Sequence, residues 1–258
     1  MLLRVLRFSW DNQAKWGKMK DEFVEELRWK DSHPLSYELT GATYHADEVK
    51  LLPPCIPSKI IGVGLNYRSH AEELGLPLPQ APILFLKPST AVIGPGSPVI
   101  LPSQSKRVDY EAELGVVIGR EANNVPVQRA KEFVWGYTCA NDITARDLQP
   151  KDGQWTLSKG FDTFAPIGPW IETEIEHPSE LVVAGLLNEK EVQRGSVDDL
   201  VFSIDELITY ISSCMTLLPG DVIFTGTPSG IGPLKENDFF TVSIEGIGEL
   251  TNRALARE

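Results

Sequence analysis

The sequence predicts an α+β fold that is mainly β, and three observations carry that prediction. Strand-like runs outnumber helical ones, and they do not alternate with helices at the regular interval a doubly wound sheet requires. With 258 residues, 42% hydrophobic and 9% aromatic, the chain can build one large core, or one domain with a small appendage.

Residues 2–10 alternate as a strand and run into a turn at Asp11-Asn12-Gln13. Segment 19–29 is ambiguous: Met19, Phe23 and Leu27 recur at helical spacing, whereas the β-branched and aromatic residues nearby suit short strands. Pro53-Pro54 and Pro57 mark a boundary between a small N-terminal module, 1–55, and the main body, 56–258. A short buried strand over 59–64 then opens into a Gly- and Pro-flanked stretch that suits a loop or short helix over a site. Strands follow at 83–87, 98–101 and 110–118, a helix at 127–134 and a strand at 135–143. The clearest helix is 203–215, where Ser203 and Glu206 form a capping box and Ile204, Leu207, Ile208 and Ile211 share one face. Leu218-Pro219-Gly220-Asp221 stops it, and Val222-Ile223-Phe224 begins another strand.

The formal net charge of −12 repels phosphate backbones and anionic lipid heads, so neither nucleic acid nor a membrane surface is the expected partner. Taken globally it also argues against an acidic substrate. The charge is uneven, however: residues 1–60 are neutral, and 172–206 hold ten carboxylates against Lys190 and Arg194. A site elsewhere can be locally positive. Cys55, Cys139 and Cys214 have no CxxC spacing and read as small buried residues in a reducing compartment. Charged residues arrive too early for a signal-peptide core and apolar runs are too short to span a bilayer, so the cytoplasm is the expected location.

Several segments carry residues capable of chemistry. In Asp109-Tyr110-Glu111-Ala112-Glu113, strand alternation puts Glu111 and Glu113 on one face, roughly 6–7 Å apart along the backbone. They are either a solvated strand face or a seat for a small cation; the β-branched run that follows implies burial, where bare carboxylates are costly. Asp142 ends a strand of small residues, Gly136, Thr138 and Ala140, that admits another chain element or a ligand. Three carboxylates without a thiolate suit a hard ion, Mg²⁺ or Mn²⁺, with about three coordination positions left open. Arg146 is an anion binder or a local partner of Asp147. His70 and Glu73 lie three apart, so a helical turn makes them either a base with its orienting carboxylate or an ordinary surface pair. Lys87 and Lys159 are surface lysines or charge-balancing groups at a site. The Gly-rich turn 225–232 lacks P-loop and dinucleotide spacing; it is a plain turn or a set of amides for a carboxylate.

Together, GVGLNYRSHAEE (62–73), FLKPST (85–90), DYEAELGVVIG (109–119), GYTCANDITARDLQ (136–149), WTLSKGFDTFAPIGPW (155–170) and PGDVIFTGTPSGIG (219–232) resemble the fumarylacetoacetate hydrolase family over roughly residues 55–255. One departure is Leu65, where several members carry Arg. The resemblance implies a mixed β-roll preceded by a small β-rich module, assembled as a homodimer, and it favours strands over 19–29. It implies one Mg²⁺ or Mn²⁺ per subunit on Glu111, Glu113 and Asp142, a water-activating dyad of His70 and Glu73, and a site lysine at Lys159. Lys87, Arg146, Gln149 and Thr227 match positions lining the substrate. The implied substrate is a small anionic 2-oxo acid. Hydrolysis of acylpyruvates is the leading activity; oxaloacetate decarboxylation, keto–enol tautomerisation and 2-hydroxydienoate isomerisation use the same apparatus, and a metal-dependent carboxylate-binding protein is the non-enzymatic alternative. With His70 neutral, the matched residues sum to −1 alone and +1 with one divalent ion.

Overall fold

A computed structural model describes residues 3–30, 36–150 and 153–257. The N-terminal part is an antiparallel meander of β1 (Arg4–Trp10), β2 (Gln13–Lys20), β3 (Phe23–Trp29) and β4 (Tyr37–His45), followed by β5 (Lys50–Leu52), which pairs back onto β1. Both residues of the β1–β2 turn, Asp11 and Asn12, have positive φ, the geometry of a two-residue hairpin and one that Asp and Asn tolerate. Segment 19–29 is strand, with Met19 paired to Val24 across the next hairpin. Of the residues at helical spacing, Leu27 is buried and Phe23 exposed, so they share no buried face; a register shift between Glu25 and Leu27 lets Val24 and Leu27 both be buried.

Beyond the proline-rich junction come β6 (Ile60–Gly64), the short helix α1 (Arg68–Glu73), β7 (Ile83–Lys87), β8 (Val92–Ile93), β9 (Val99–Leu101), β10 (Val108–Tyr110) and β11 (Ala112–Ile118). Then follow β12 (Val134–Asn141), β13 (Thr144–Ala145), the one-turn α2 (Thr156–Lys159), β14 (Ala165–Glu172), and the hairpin β15 (Val182–Leu187) and β16 (Lys190–Ser196). Last are α3 (Ile204–Cys214), β17 (Val222–Phe224), β18 (Gly232–Pro233), β19 (Phe239–Ile244) and β20 (Gly248–Ala256). Helix α3 has the expected capping box and buried face. The helix expected at 127–134 is a 3-10 helix, Val127–Phe133, in which only Ala130 is buried, so it has no apolar stripe to sustain α-helical packing.

The largest sheet runs β4-β3-β2-β1-β14-β12-β11-β17-β6-β7, with β5 attached to β1 and β8 to β14. Two smaller sheets run β13-β10-β18 and β16-β15-β19-β20-β9. Pairing of β1 with β14 makes the N-terminal strands continuous with the sheet of the body. The main core gathers one face of β11 (Leu114, Val116, Ile118), the apolar face of α3, and residues of β19 and β20. The small residues of β12 face a chain element: a Cβ on Gly136 would fall 2.3 Å from the carbonyl oxygen of Glu172 in β14. Cys55 and Cys139 are buried as expected, while Cys214 is exposed at the end of α3. No helix among the described residues is long and apolar enough to cross a membrane.

The single strand expected over 110–118 is two. The chain leaves the three-stranded sheet after Tyr110 and enters the large sheet at Ala112, and its antiparallel partner does the same between Asn141 and Thr144. Glu111 and Asp142 face each other at that corner. Asp142 N–H donates to Glu111 O at 2.9 Å, and Glu111 N–H donates to Asn141 Oδ1 at 3.0 Å, so the backbone groups released by the break are satisfied.

Asp221 joins two parallel strands at their origin. Its fully buried carboxylate accepts from Ser58 N at 3.0 Å, Ser58 Oγ at 2.6 Å, Lys59 N at 3.1 Å, Leu218 N at 2.8 Å, and Lys59 Nζ. These bonds hold the start of β6 against the start of β17. Replacing Asp221 by Ala leaves several donors unpaired, and we expect a loss of about 3 kcal/mol in unfolding free energy. Denaturant midpoints read this loss; a midpoint equal to wild type would show that the bonds contribute nothing net.

Candidate metal and active site

The corner brings together three carboxylates from two strands. Ligand oxygens of Glu111, Glu113 and Asp142 all lie within 4.8 Å of one another, and all three residues are buried. Cations from three separate elements meet them. Lys159 of α2 donates to Glu111 Oε2 at 2.9 Å and to Asp142 Oδ2. Lys87 of β7, its side chain 0% exposed, donates to Asp142 Oδ1 and to Ile143 O at 3.0 Å. Arg146, just after β13, donates to Glu111 Oε1 through one terminal nitrogen and to Gln149 Oε1 at 2.6 Å through the other. Its Nε donates to Asp109 Oδ2 at 2.9 Å. Asp147 is bonded instead to Ser105 and Lys106, so Arg146 is not its partner.

The carboxylates are electrostatically unequal. Burial would raise the Glu111 pKa, but Lys159 and Arg146 outweigh it and hold the group below the ordinary range. Burial, reinforced by Asp142 and Glu111, pushes Glu113 well above that range; an amide donor, Gly226 N–H at 2.7 Å on Oε2, does not offset it. Lys159 is raised because Asp142 and Glu111 overcome its burial, whereas burial dominates at Lys87 and lowers it. Glu113 is thus the member of the triad whose charge lacks a matching cation in the ion pairs. Three clustered carboxylates with one left unbalanced fit a hard divalent cation, and the residues to hold it are Glu111, Glu113 and Asp142.

The second half of the site is α1. His70 is 6% exposed, and its Nδ1 lies 3.0 Å from Glu73 Oε2. Glu73 Oε1 accepts from Gly230 N–H at 3.0 Å. The 225–232 turn links the dyad to the cluster, its Gly226 N–H donating to Glu113 and its Gly230 N–H to Glu73. A six-residue helix is too short to persist alone, and side chains outside it tie it down. Asn66 donates to Thr225 O at 2.8 Å and accepts from Phe202 N–H at 2.9 Å; Asp199 accepts from Ser69 N at 3.1 Å and Oγ at 2.7 Å.

The 225–232 turn does hold carboxylates with its amides, and they are the protein's own: Gly226 meets Glu113 and Gly230 meets Glu73. Thr227 is buried, its hydroxyl donating to Ala112 O at 2.9 Å and accepting from Gln193 Nε2 at 2.8 Å. Gln193 also accepts from Ala112 N–H at 2.9 Å and donates to Pro228 O at 2.9 Å, locking the turn to the strand of Glu113. Of the other residues singled out from the sequence, Lys87, Lys159 and Arg146 are bonded to the cluster, Gln149 is bonded to Arg146, and Thr227 to Ala112 and Gln193. The reading missed Asp109, Asn66, Asp199 and Gln193. Of these, only Asp109, inside the carboxylate motif itself, carried a local signal.

Residues 59–254 match the family model described as fumarylacetoacetate (FAA) hydrolase C-terminal, and residues 3–54 match one described as Rv2993c-like, N-terminal. The chain belongs to the fumarylacetoacetate hydrolase family. It has the mixed β-roll of that family with an N-terminal module. A relative from Archaeoglobus fulgidus is 57% identical over 207 residues, covering 80% of this chain and 82% of that protein. Among solved structures, 5-carboxymethyl-2-hydroxymuconate delta-isomerase from Mycobacterium smegmatis superposes with a TM-score of 0.91 at 40% identity, over 98% of this chain and 100% of that one. Fumarylpyruvate hydrolase from Pseudomonas aeruginosa, solved in complex with Mn²⁺ and pyruvate, superposes with a TM-score of 0.75 at 34% identity, over 81% and 92%. The family includes hydrolases and isomerases.

An Mn²⁺ ion on the triad stabilises the folded chain by mass action. At about 100 times the dissociation constant the gain is about 2.7 kcal/mol. We expect the denaturant midpoint to rise accordingly on adding MnCl₂, and the rise to vanish in Glu113→Gln. A rise of the same size in the variant would place the ion elsewhere.

Proposed function

We propose that this protein is a Mg²⁺- or Mn²⁺-dependent hydrolase that splits acylpyruvate-type 2,4-dioxo acids into pyruvate and a carboxylic acid. The observation that carries the reading is the His70–Glu73 pair, tied to the carboxylate cluster through the 225–232 turn, because water activation is the step that hydrolysis needs and decarboxylation does not. A divalent ion held by Glu111, Glu113 and Asp142 would supply positive charge for the oxo-acid end of the substrate and for the electron density that develops as the C3–C4 bond breaks.

The chain's own residues do the rest. With Nδ1–H donating to Glu73, Nε2 of His70 is the free acceptor, and it takes a proton from water as the water oxygen attacks C4. Gly230 N–H fixes Glu73, and Glu73 fixes the imidazole. The C3–C4 pair collapses onto the pyruvyl fragment, C3 regains a proton from the imidazolium, and the acid departs. Lys159, bonded to two carboxylates of the triad, brings an ammonium beside the developing negative charge. Arg146 and Gln149 form one polar edge of the site, Arg146 oriented by Asp109.

An isomerase reading has its own support: similarity to the delta-isomerase extends over 98% of the chain, against 81% for the fumarylpyruvate hydrolase. In that reading the same imidazole moves a proton between carbons of a 2-hydroxydienoate and no water enters. A panel of acetylpyruvate, fumarylpyruvate, oxaloacetate and a 2-hydroxydienoate, assayed with Mn²⁺, separates these activities. We expect acylpyruvate cleavage to dominate, and His70→Ala to lower its kcat/KM by about 10²–10⁴-fold while oxaloacetate decarboxylation persists. Equal retention of both activities in the variant would refute water activation, and no turnover of any of the four would favour a carboxylate-binding protein.

A further inference from the structure

Gly62 and Gly64 of β6 are two residues apart, so their missing side chains lie on one face of the strand. A Cβ on Gly62 would fall 2.1 Å from the Phe85 ring, and one on Gly64 would fall 2.5 Å from the Trp155 indole. Glycine is needed at both positions because aromatic rings lie directly over the backbone. The two rings meet edge to face, with centroids 5.4 Å apart. Lys159 Nζ sits 4.8 Å from the centre of the Phe85 ring while bonded to Glu111 and Asp142. Trp155 directly precedes α2, which carries Lys159, and packs on Gly64, three residues before Tyr67, the N-cap of the helix that carries His70. The pair of rings therefore spans from the carboxylate cluster toward the base of the dyad helix.

Its chemistry is apolar. Trp155 Nε1 is engaged with Pro150 O at 3.3 Å, so the half-buried indole offers its ring and not its donor. Lys159, the charged group over the Phe85 ring, has its ammonium bonded to the triad.

We infer that Phe85 and Trp155 form the wall that receives the far end of the substrate, and that they select an aromatic or apolar group on C4 over a carboxylate-bearing one. The inference rests on the proposed 2-oxo acid site and adds the residues that set its specificity. A purely structural role, filling the space over two glycines, predicts that changing Trp155 affects all ligands alike.

Binding of pyruvate, 4-phenyl-2-oxobutanoate and 2-oxoglutarate to the Mn²⁺-loaded protein, measured by calorimetry without turnover, decides between them. Wild type is expected to bind the phenyl ligand about tenfold more tightly than pyruvate or 2-oxoglutarate. Trp155→Ala is expected to bring the phenyl-to-pyruvate ratio close to one, and Trp155→Phe to keep most of it; if the alanine variant fails to fold, Trp155→Leu replaces it. A wild type that prefers 2-oxoglutarate, or a ratio unchanged in the variants, overturns the wall. If the ratio behaves as expected while no acylpyruvate is cleaved, the wall stands and the hydrolase reading falls; cleavage of acetylpyruvate with no phenyl preference does the reverse.

Discussion

Three carboxylates removed from water repel one another and lose hydration, so the corner between β10–β11 and β12–β13 can exist only where cations converge on it. Asp142 has Lys87 on one oxygen and Lys159 on the other; Glu111 has Lys159 and Arg146. These cations come from β7, α2 and the turn after β13. The charge balance consequently requires most of the body to be assembled around the corner. It is incomplete by one group, Glu113, whose acidity is suppressed by burial and by its two neighbours. That residual imbalance suits the triad to a divalent ion, and the −12 of the chain lies mostly away from the site, so the global charge does not argue against the proposed anionic substrate.

Around this centre the protein places a layer of groups that orient the residues of the cluster and the dyad. Asp109, fully buried, holds Arg146 by its Nε and so leaves the rest of the guanidinium for Glu111 and Gln149. Gln193 uses both ends of its amide to join the 225–232 turn to β11. Gly226 and Gly230 of that turn then reach the triad and the dyad respectively, so one loop sets the relation between the two halves of the site. Both glycines have positive φ, and a Cβ on Gly230 would fall 2.1 Å from the carbonyl oxygen of Val192.

Much of this was legible in the residues. The two-residue turn at Asp11-Asn12 and the capping box of α3 are local signals, decided within four or five residues, and both stand in the structure. The carboxylate motif could be read as a cation site because buried strand and paired acids are hard to reconcile otherwise. Segment 19–29 carried two readings, and cross-strand pairing decides for strand, as the family resemblance favoured; at 110–118 the reading failed, where a switch of partners at Glu111 divides what looked like one strand into two.

By itself, the sequence determined which chemical groups are available and in what order: the acids of 109–113 and 142, the His70–Glu73 spacing, and the lysines. Spacing along a helix or strand is a property of the local backbone, so it needs no tertiary information. Only the tertiary structure decided which cation meets which acid. Lys87 reads as either a surface lysine or a charge-balancing group, and it is buried with its ammonium on Asp142, because the pairing of β7 with β6 carries it to the corner. Asp109 reads as the start of a motif and proves to be the anchor of Arg146, 37 residues away. Such partnerships depend on where separate elements dock, and burial then makes them obligatory, since an unpaired charge at that depth has no water to turn to.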